Sequence, residues 1–159
     1  MGFGELKGDL WELAKVFEAH AVVVTTNGAV RSDGACVMGR GCAKEAKDMF
    51  EGIDKRLGAL IRENGNRVQI VQDLPTRVIA YPVKHHWEDD ADLELIRRSA
   101  QQLMEIIKEK KWTKVLMPRP GCGNGRLDWE TQVKPILEEE LDSRVAVITH
   151  APPFRGKRA

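Results

Sequence analysis

Apolar positions along this chain follow two alternating rhythms. The runs "AVVVTT" (21–26), "RVQIVQ" (67–72), "RVIAYP" (77–82), "KVLMP" (114–118) and "RVAVITH" (144–150) are short and β-branched, and several are apolar at consecutive positions. Strands covered on both faces read this way, because neither side of the sheet meets water. Between them the apolar spacing widens to three and four. Leu10, Leu13, Ala14 and Phe17 share one helical face, and so do Leu93, Ile96, Ala100, Leu103 and Ile107. The second of these helices is expected to start near residues 89–92, where carboxylates suit the positive end of a helix dipole. "GCAKEAKDMF" and "DKRLGALIREN" predict two further helices, ending near Phe50 and at Asn64 and Gly65. "WETQVKPILEEEL" predicts a last one, with Pro135 bending its first turns. Strands alternating with helices imply an α/β fold, with a mainly parallel sheet between helical layers.

Length and charge narrow the picture. The 159 residues suit one domain, expected over 1–151, followed by an irregular tail, "PPFRGKRA", over 152–159. With 25 basic against 24 acidic residues, no broad field draws the chain to nucleic acid or membrane, so any polyanion must be met locally. There is no apolar run of membrane-spanning length and no basic stretch leading into an apolar segment at the N-terminus, so a cytoplasmic monomer is expected. Cys36, Cys42 and Cys122 are an odd set without a C-x-x-C pair, which disfavours a disulfide framework or a structural zinc site.

Glycine brings in the candidate chemistry. "GRG" (39–41) follows the first apolar strand, and "GCGNG" (121–125) follows the strand at 114–118. Ligands of such sheets bind at the carboxyl ends of the strands. Both stretches are read as leading into a helix, whose free amides, with glycines admitting close approach, would form an anion site suited to a diphosphate. Tight turns are the alternative. Familiar phosphate motifs are absent: there is no Walker A sequence, and "GRGCAK" lacks the third glycine of a dinucleotide fingerprint and lies too far from its strand. Cys122 and Arg126 are four apart, too close for a cysteine-phosphatase loop. Cys122 fits a packing residue better than a reactive thiolate.

The order "KGDLWEL", "VVVTTNG", "VMGRGCAKEA", "YPVKHHW" and "LMPRPGCGNGRLDW" resembles that of the macrodomains, ADP-ribose-binding modules with a three-layer α/β/α sandwich and a mixed, mainly parallel sheet. The resemblance runs from about Leu6 to His150. It is nearest to the branch of the terminal ADP-ribose protein glycohydrolase and the DarG-type antitoxin that removes ADP-ribose from thymidine in DNA. It implies that Asp9 takes the adenine amine beside the Leu10 amide, and that Asn27 approaches the distal ribose. It makes Gly39, Arg40, Gly41 and Cys42 a first phosphate loop. The second loop begins beyond Pro118 and comprises Gly121, Cys122, Gly123, Asn124, Gly125 and Arg126. Phe154 would stack on adenine. Asp9 equally suits a helix N-cap.

Lys84 of "YPVKHHW" follows a strand directly, and the resemblance makes it catalytic. A neutral lysine amine can attack C1 of a ring-opened ADP-ribose or serve in proton transfer. His85 and His86 have no spaced partners that form a ligand set, so neither metal nor cofactor is expected. Two features depart from the pattern. The protein-directed glycohydrolase carries aspartate where Gly125 stands, whereas Gly-Asn-Gly resembles the DNA-directed branch. The segment Ala29 to Val37, with Arg31 and Asp33, is longer than the resemblance explains. Three readings follow: a hydrolase freeing ADP-ribose from DNA or protein, a reader that only binds ADP-ribose, and an unrelated nucleotide-binding protein.

Overall fold

Successive residues of one strand bury their side chains in different cores. In the strand Ala21–Thr26, Ala21 and Val23 join an apolar cluster on one face of the sheet, while Val22 and Val24 join a second on the other. Val23 and Val24 are fully enclosed, and burying each contributes about 1.5–3 kcal/mol. The computed structural model describes residues 2–151; Phe154 and the rest of the tail lie outside them.

Six strands form the sheet, in the order β1-β6-β5-β2-β4-β3. They are β1 (Gly4–Gly8), β2 (Ala21–Thr26), β3 (Gln69–Gln72), β4 (Val78–Pro82), β5 (Val115–Pro118) and β6 (Val145–His150). Every pairing is parallel except that of β3 with β4. Helices α4 (Leu93–Lys110) and α5 (Lys134–Glu140) cover one face, and α1 (Leu10–Val16), α2 (Gly41–Met49) and α3 (Ile53–Asn64) the other. The three-layer α/β/α sandwich expected from the sequence is the fold.

Two details differ from the expectation. β1 was not among the five expected strands. It is an edge strand with four of its five residues exposed and no β-branched residue, so its pairing with β6 supplies what its composition does not. The last helix opens as a π-turn over Trp129–Val133 before α5 begins. Pro135 has no N–H to offer the preceding turn. The local bonds step one residue wider, Val133 N–H to Asp128 O and Lys134 N–H to Trp129 O.

Helix α4 also sets the end of β4. Buried Ser99 donates its hydroxyl to the Pro82 carbonyl at 2.8 Å, and Tyr81 donates its own to the Ile96 carbonyl at 2.8 Å. Asp92 caps α4, as the acidic cluster predicts, by accepting the amides of Glu94 and Leu95. The residues just beyond Pro82, Lys84 among them, therefore leave the sheet from a fixed point.

Candidate functional site

A cavity of about 730 Å³ lies across the carboxyl ends of β6, β5, β2 and β4. Its wall runs from Ile148, Thr149 and His150 at one end, past Pro118 and Arg119, then Thr25 to Asn27, to Val83 and Lys84 at the other. Four cations line it, Arg31, Arg40, Lys84 and Arg119, and among the described residues no carboxylate does. In a chain of net charge +1 this is a local concentration of positive charge in a concave, partly desolvated place.

Gly39, Arg40, Gly41 and Cys42 all line the cavity. Arg40 stands at the N-cap of α2 with extended backbone, no side-chain cap and no acidic residue in the first turn. The first amides of α2 are therefore not engaged by a capping side chain and suit an anion. Cys42 is buried, and burial, with Glu45 and Asp9 nearby, pushes its thiol up to about 12. Its side chain packs in the core cluster on the α1–α3 face of the sheet.

Pro118, Gly121, Cys122, Gly123, Asn124 and Gly125 line the facing side. The loops approach each other where a Cβ on Gly41 would lie 3.9 Å from Asn124 Nδ2. The second loop does not open a helix, contrary to the expectation. Leu127 and Asp128 intervene, and Asp128 caps the π-turn by accepting the Thr131 amide at 2.8 Å. This loop therefore offers an anion its own amides and no helix N-terminus. Gly125 has a packing reason: a Cβ there would lie 2.5 Å from the Gly121 carbonyl and 2.7 Å from Ala91 Cβ. Burial pushes the Cys122 thiol up to about 11 despite Arg119, in keeping with its reading as a packing residue. Arg126 stands apart from the other residues of this loop. Its left-handed backbone turns the side chain outward to Asp90 at 3.8 Å, 80% exposed and outside the cavity lining.

At the β4 end, Lys84 Nζ donates to the carbonyls of Trp87 and Asn124, both at 3.3 Å. Asn66 Nδ2 holds the Lys84 carbonyl at 3.0 Å, a role nothing in its sequence context announced. Trp87, 46% exposed, stands at the rim. Asn27 lines the cavity, but both ends of its amide are engaged. Nδ2 donates to Val37 O at 3.0 Å and Oδ1 accepts from Ala29 N–H at 2.9 Å. It closes the base of the 29–37 segment with one of its two amide hydrogens and one of its two oxygen lone pairs.

The β6 end also departs from expectation. Neither Asp9 nor Leu10 lines the cavity; His150 does. Asp9 caps α1, accepting the Glu12 amide at 3.3 Å. The Leu10 amide donates to His150 Nδ1 at 2.9 Å. That bond requires a lone pair on Nδ1, so Nε2 carries the proton and donates to Glu45 Oε1 at 2.8 Å. Cys42, Glu45 and His150 gather potential ligand atoms within 4.8 Å. In this tautomer, however, the ring nitrogen facing Glu45 has no lone pair to offer a metal. As the last residue of β6, His150 was in the right place to be suspected from sequence, as was Arg119 just past β5.

The Macro domain family profile matches residues 34–136. The DNA ADP-ribosyl glycohydrolase of Mycobacterium tuberculosis (strain ATCC 25618 / H37Rv) is 30% identical over 136 residues, 77% of this chain and 37% of the relative. This chain thus spans well under half of that relative. The ADP-ribose glycohydrolase OARD1 of Bos taurus is 31% identical over 118 residues, 72% of this chain and 75% of the relative. Among solved structures, the macrodomain of Mycobacterium tuberculosis DarG superposes with a TM-score of 0.72 at 24% identity, covering 97% of this chain and 100% of that one. The profile match takes in α2, the lysine-bearing turn and the second glycine loop, and the fold agrees throughout: the chain belongs to the macrodomain family.

Proposed function

We propose that this chain binds ADP-ribose across the cavity and frees it from a modified acceptor, with a DNA base, thymidine, as the preferred one. The observation that carries this is the cavity, lined among the described residues by four cations and no carboxylate, with two facing glycine loops and Lys84 at its mouth. The diphosphate lies between the loops, the adenosine runs toward His150, and the distal ribose reaches Lys84. Relatives named as glycohydrolases support the activity.

Lys84 is the group suited to the chemistry. Cys42 and Cys122 are held as thiols, and the His150 ring is engaged on both nitrogens. Lys84 donates to two carbonyls, which hold its nitrogen at the edge of the cavity. The amine attacks C1 of the distal ribose, the bond from C1 to the acceptor breaks, and its electron pair leaves with the acceptor, which takes a proton. The bond from C1 to the ring oxygen of the resulting glycosylamine then opens, the oxygen taking a proton, and water hydrolyses the imine so formed, restoring the amine and releasing ADP-ribose.

Gly125 supports a DNA acceptor. The resemblance places an aspartate there in the protein-directed enzyme, and this packing leaves no room for one. Trp87 gives the rim a platform on which an unstacked base can lie. With a net charge of only +1, contact with such DNA is confined to a few nucleotides.

The test is incubation with ADP-ribosylated single-stranded DNA and with ADP-ribosylated protein, side by side, reading released ADP-ribose. Release from DNA is expected to be the faster. Release from glutamate on protein with none from thymidine would overturn the acceptor assignment. Tight binding of ADP-ribose without either release would make the chain a reader.

A further inference from the structure

The segment from Ala29 to Val37 is a rigid hairpin. Val30 bridges Cys36, Arg31 N–H donates to Ala35 O at 2.7 Å, and Gly34 N–H donates to Arg31 O at 2.9 Å. Asp33 Oδ1 takes the Ala35 amide at 3.0 Å. Its tip is seated on α3. Cys36 N–H donates to Asp54 O at 2.9 Å, and Arg62 Nη2 donates to Arg31 O at 3.2 Å. Gly58 of α3 has no side chain, where a Cβ would overlap the Gly34 carbonyl. Asn27 ties the base. A long connection fixed at both tip and base is built to present something.

What it presents to the cavity is Arg31. Helix α3 packs against β3, the edge strand beyond β4, so the hairpin comes in over the β4 side. Gly28 N–H, at the base of the hairpin, donates to His85 O at 3.2 Å, which ties the hairpin to the turn that carries Lys84 and Trp87. Its guanidinium pairs with Asp33 at 3.3 Å, and both side chains are about half exposed. Such a pair is weak and readily exchanged for a better anion. A guanidinium fork matches phosphate oxygens and holds them in a defined orientation. The diphosphate of ADP-ribose lies between the glycine loops, so the anion at this end must belong to what is attached beyond the distal ribose.

We propose that Arg31 binds a backbone phosphate of the acceptor strand, next to the modified base, making the hairpin a selector for nucleotides within a strand over free nucleosides. This rests on the glycohydrolase reading above. The experiment compares ADP-ribosylated thymidine as a free nucleoside with the same nucleoside inside a single-stranded trinucleotide. The quantity read is the ratio of kcat/KM for trinucleotide to nucleoside. Arg31→Ala should lower that ratio about ten-fold, the scale of one lost charge-assisted contact. It should also flatten the plot of log kcat/KM against log salt for the trinucleotide by about 0.7, one phosphate's share. Arg31→Lys should recover part of the ratio, because it keeps the charge and loses the fork. The fastenings made at Arg31 itself use its main-chain N–H and carbonyl, so both variants should melt as the wild type does. A ratio in Arg31→Ala within about two-fold of wild type overturns the proposal and leaves the glycohydrolase reading intact. Wild-type protein that cleaves neither DNA substrate overturns both.

Discussion

Lys84 and Asn124, 40 residues apart, are joined by a 3.3 Å hydrogen bond from the lysine amine to the asparagine carbonyl. The turn that carries the lysine and the second glycine loop are thereby one unit, so substitutions at Lys84 test both chemistry and loop position. Lys84→Ala is expected to leave ADP-ribose affinity within about three-fold of wild type and to slow release by about 10²–10⁴-fold. Lys84→Arg can still donate to both carbonyls but lacks the nucleophile, and it should be as slow. Recovery of release in Lys84→Arg, measured by ADP-ribose liberation, would assign the lysine a tethering role. Wild-type turnover in Lys84→Ala would end the lysine mechanism.

Glycines of the second loop should divide into two kinds. A Cβ on Gly123 meets nothing within 4 Å, so Gly123→Glu should fold normally and lose ADP-ribose binding as its carboxylate enters the diphosphate position. Gly125→Asp should instead destabilise by about 1–3 kcal/mol through overlap with Gly121 and Ala91. Denaturant melts and calorimetric titration separate the two. A folded Gly123→Glu protein with full affinity would remove the loop from the site.

Asp9 has a visible structural task. Asp9→Ala should cost about 1 kcal/mol of stability through the lost cap on α1. It should change affinity for ADP-ribose and for ribose 5-phosphate by equal factors. A loss confined to ADP-ribose would show that the carboxylate meets adenine, and hence that His150 swings away from the Leu10 amide when ligand enters.

Asp92 predicts an acid dependence of stability. Burial opposes its charge, but the amides of Leu95 and Glu94, together with His85 at 3.1 Å, outweigh that and hold the carboxyl below its usual range. A lowered folded-state value stabilises fully above the unfolded value of about 4, and the contribution is lost as pH falls through the folded value. Asp92→Ala should therefore cost about 1 kcal/mol near neutral pH. The gap to wild type, followed by denaturant melts, should narrow in acid below that range. A gap that does not change with pH would mean the carboxylate's charge is irrelevant to the cap.

Local composition was enough to locate most of the fold. β2, β4, β5 and β6 are buried on both faces, and that condition writes itself into consecutive apolar residues. The start and face of α4 were readable for the same reason, since helix period and first-turn charge are properties of a few neighbouring residues. The motif order was also enough to bring the two glycine stretches and Lys84 to one edge of the sheet. Tertiary structure decided which polar groups remain available there. β1 exists because β6 offers it an edge, not because "GELKG" prefers to be a strand. Asn27 is engaged by Val37 and Ala29, the Leu10 amide by His150 from 140 residues away, and Arg126 is turned outward by its own backbone. Gly125 is a packing necessity set by Gly121 and Ala91. Arg31 reaches the cavity because Gly58, on another element, leaves room for the hairpin tip. Burial is a property of a residue and its near neighbours, so a chain displays it locally. A hydrogen bond or a close contact depends on two partners, and only the folded chain determines which residues meet.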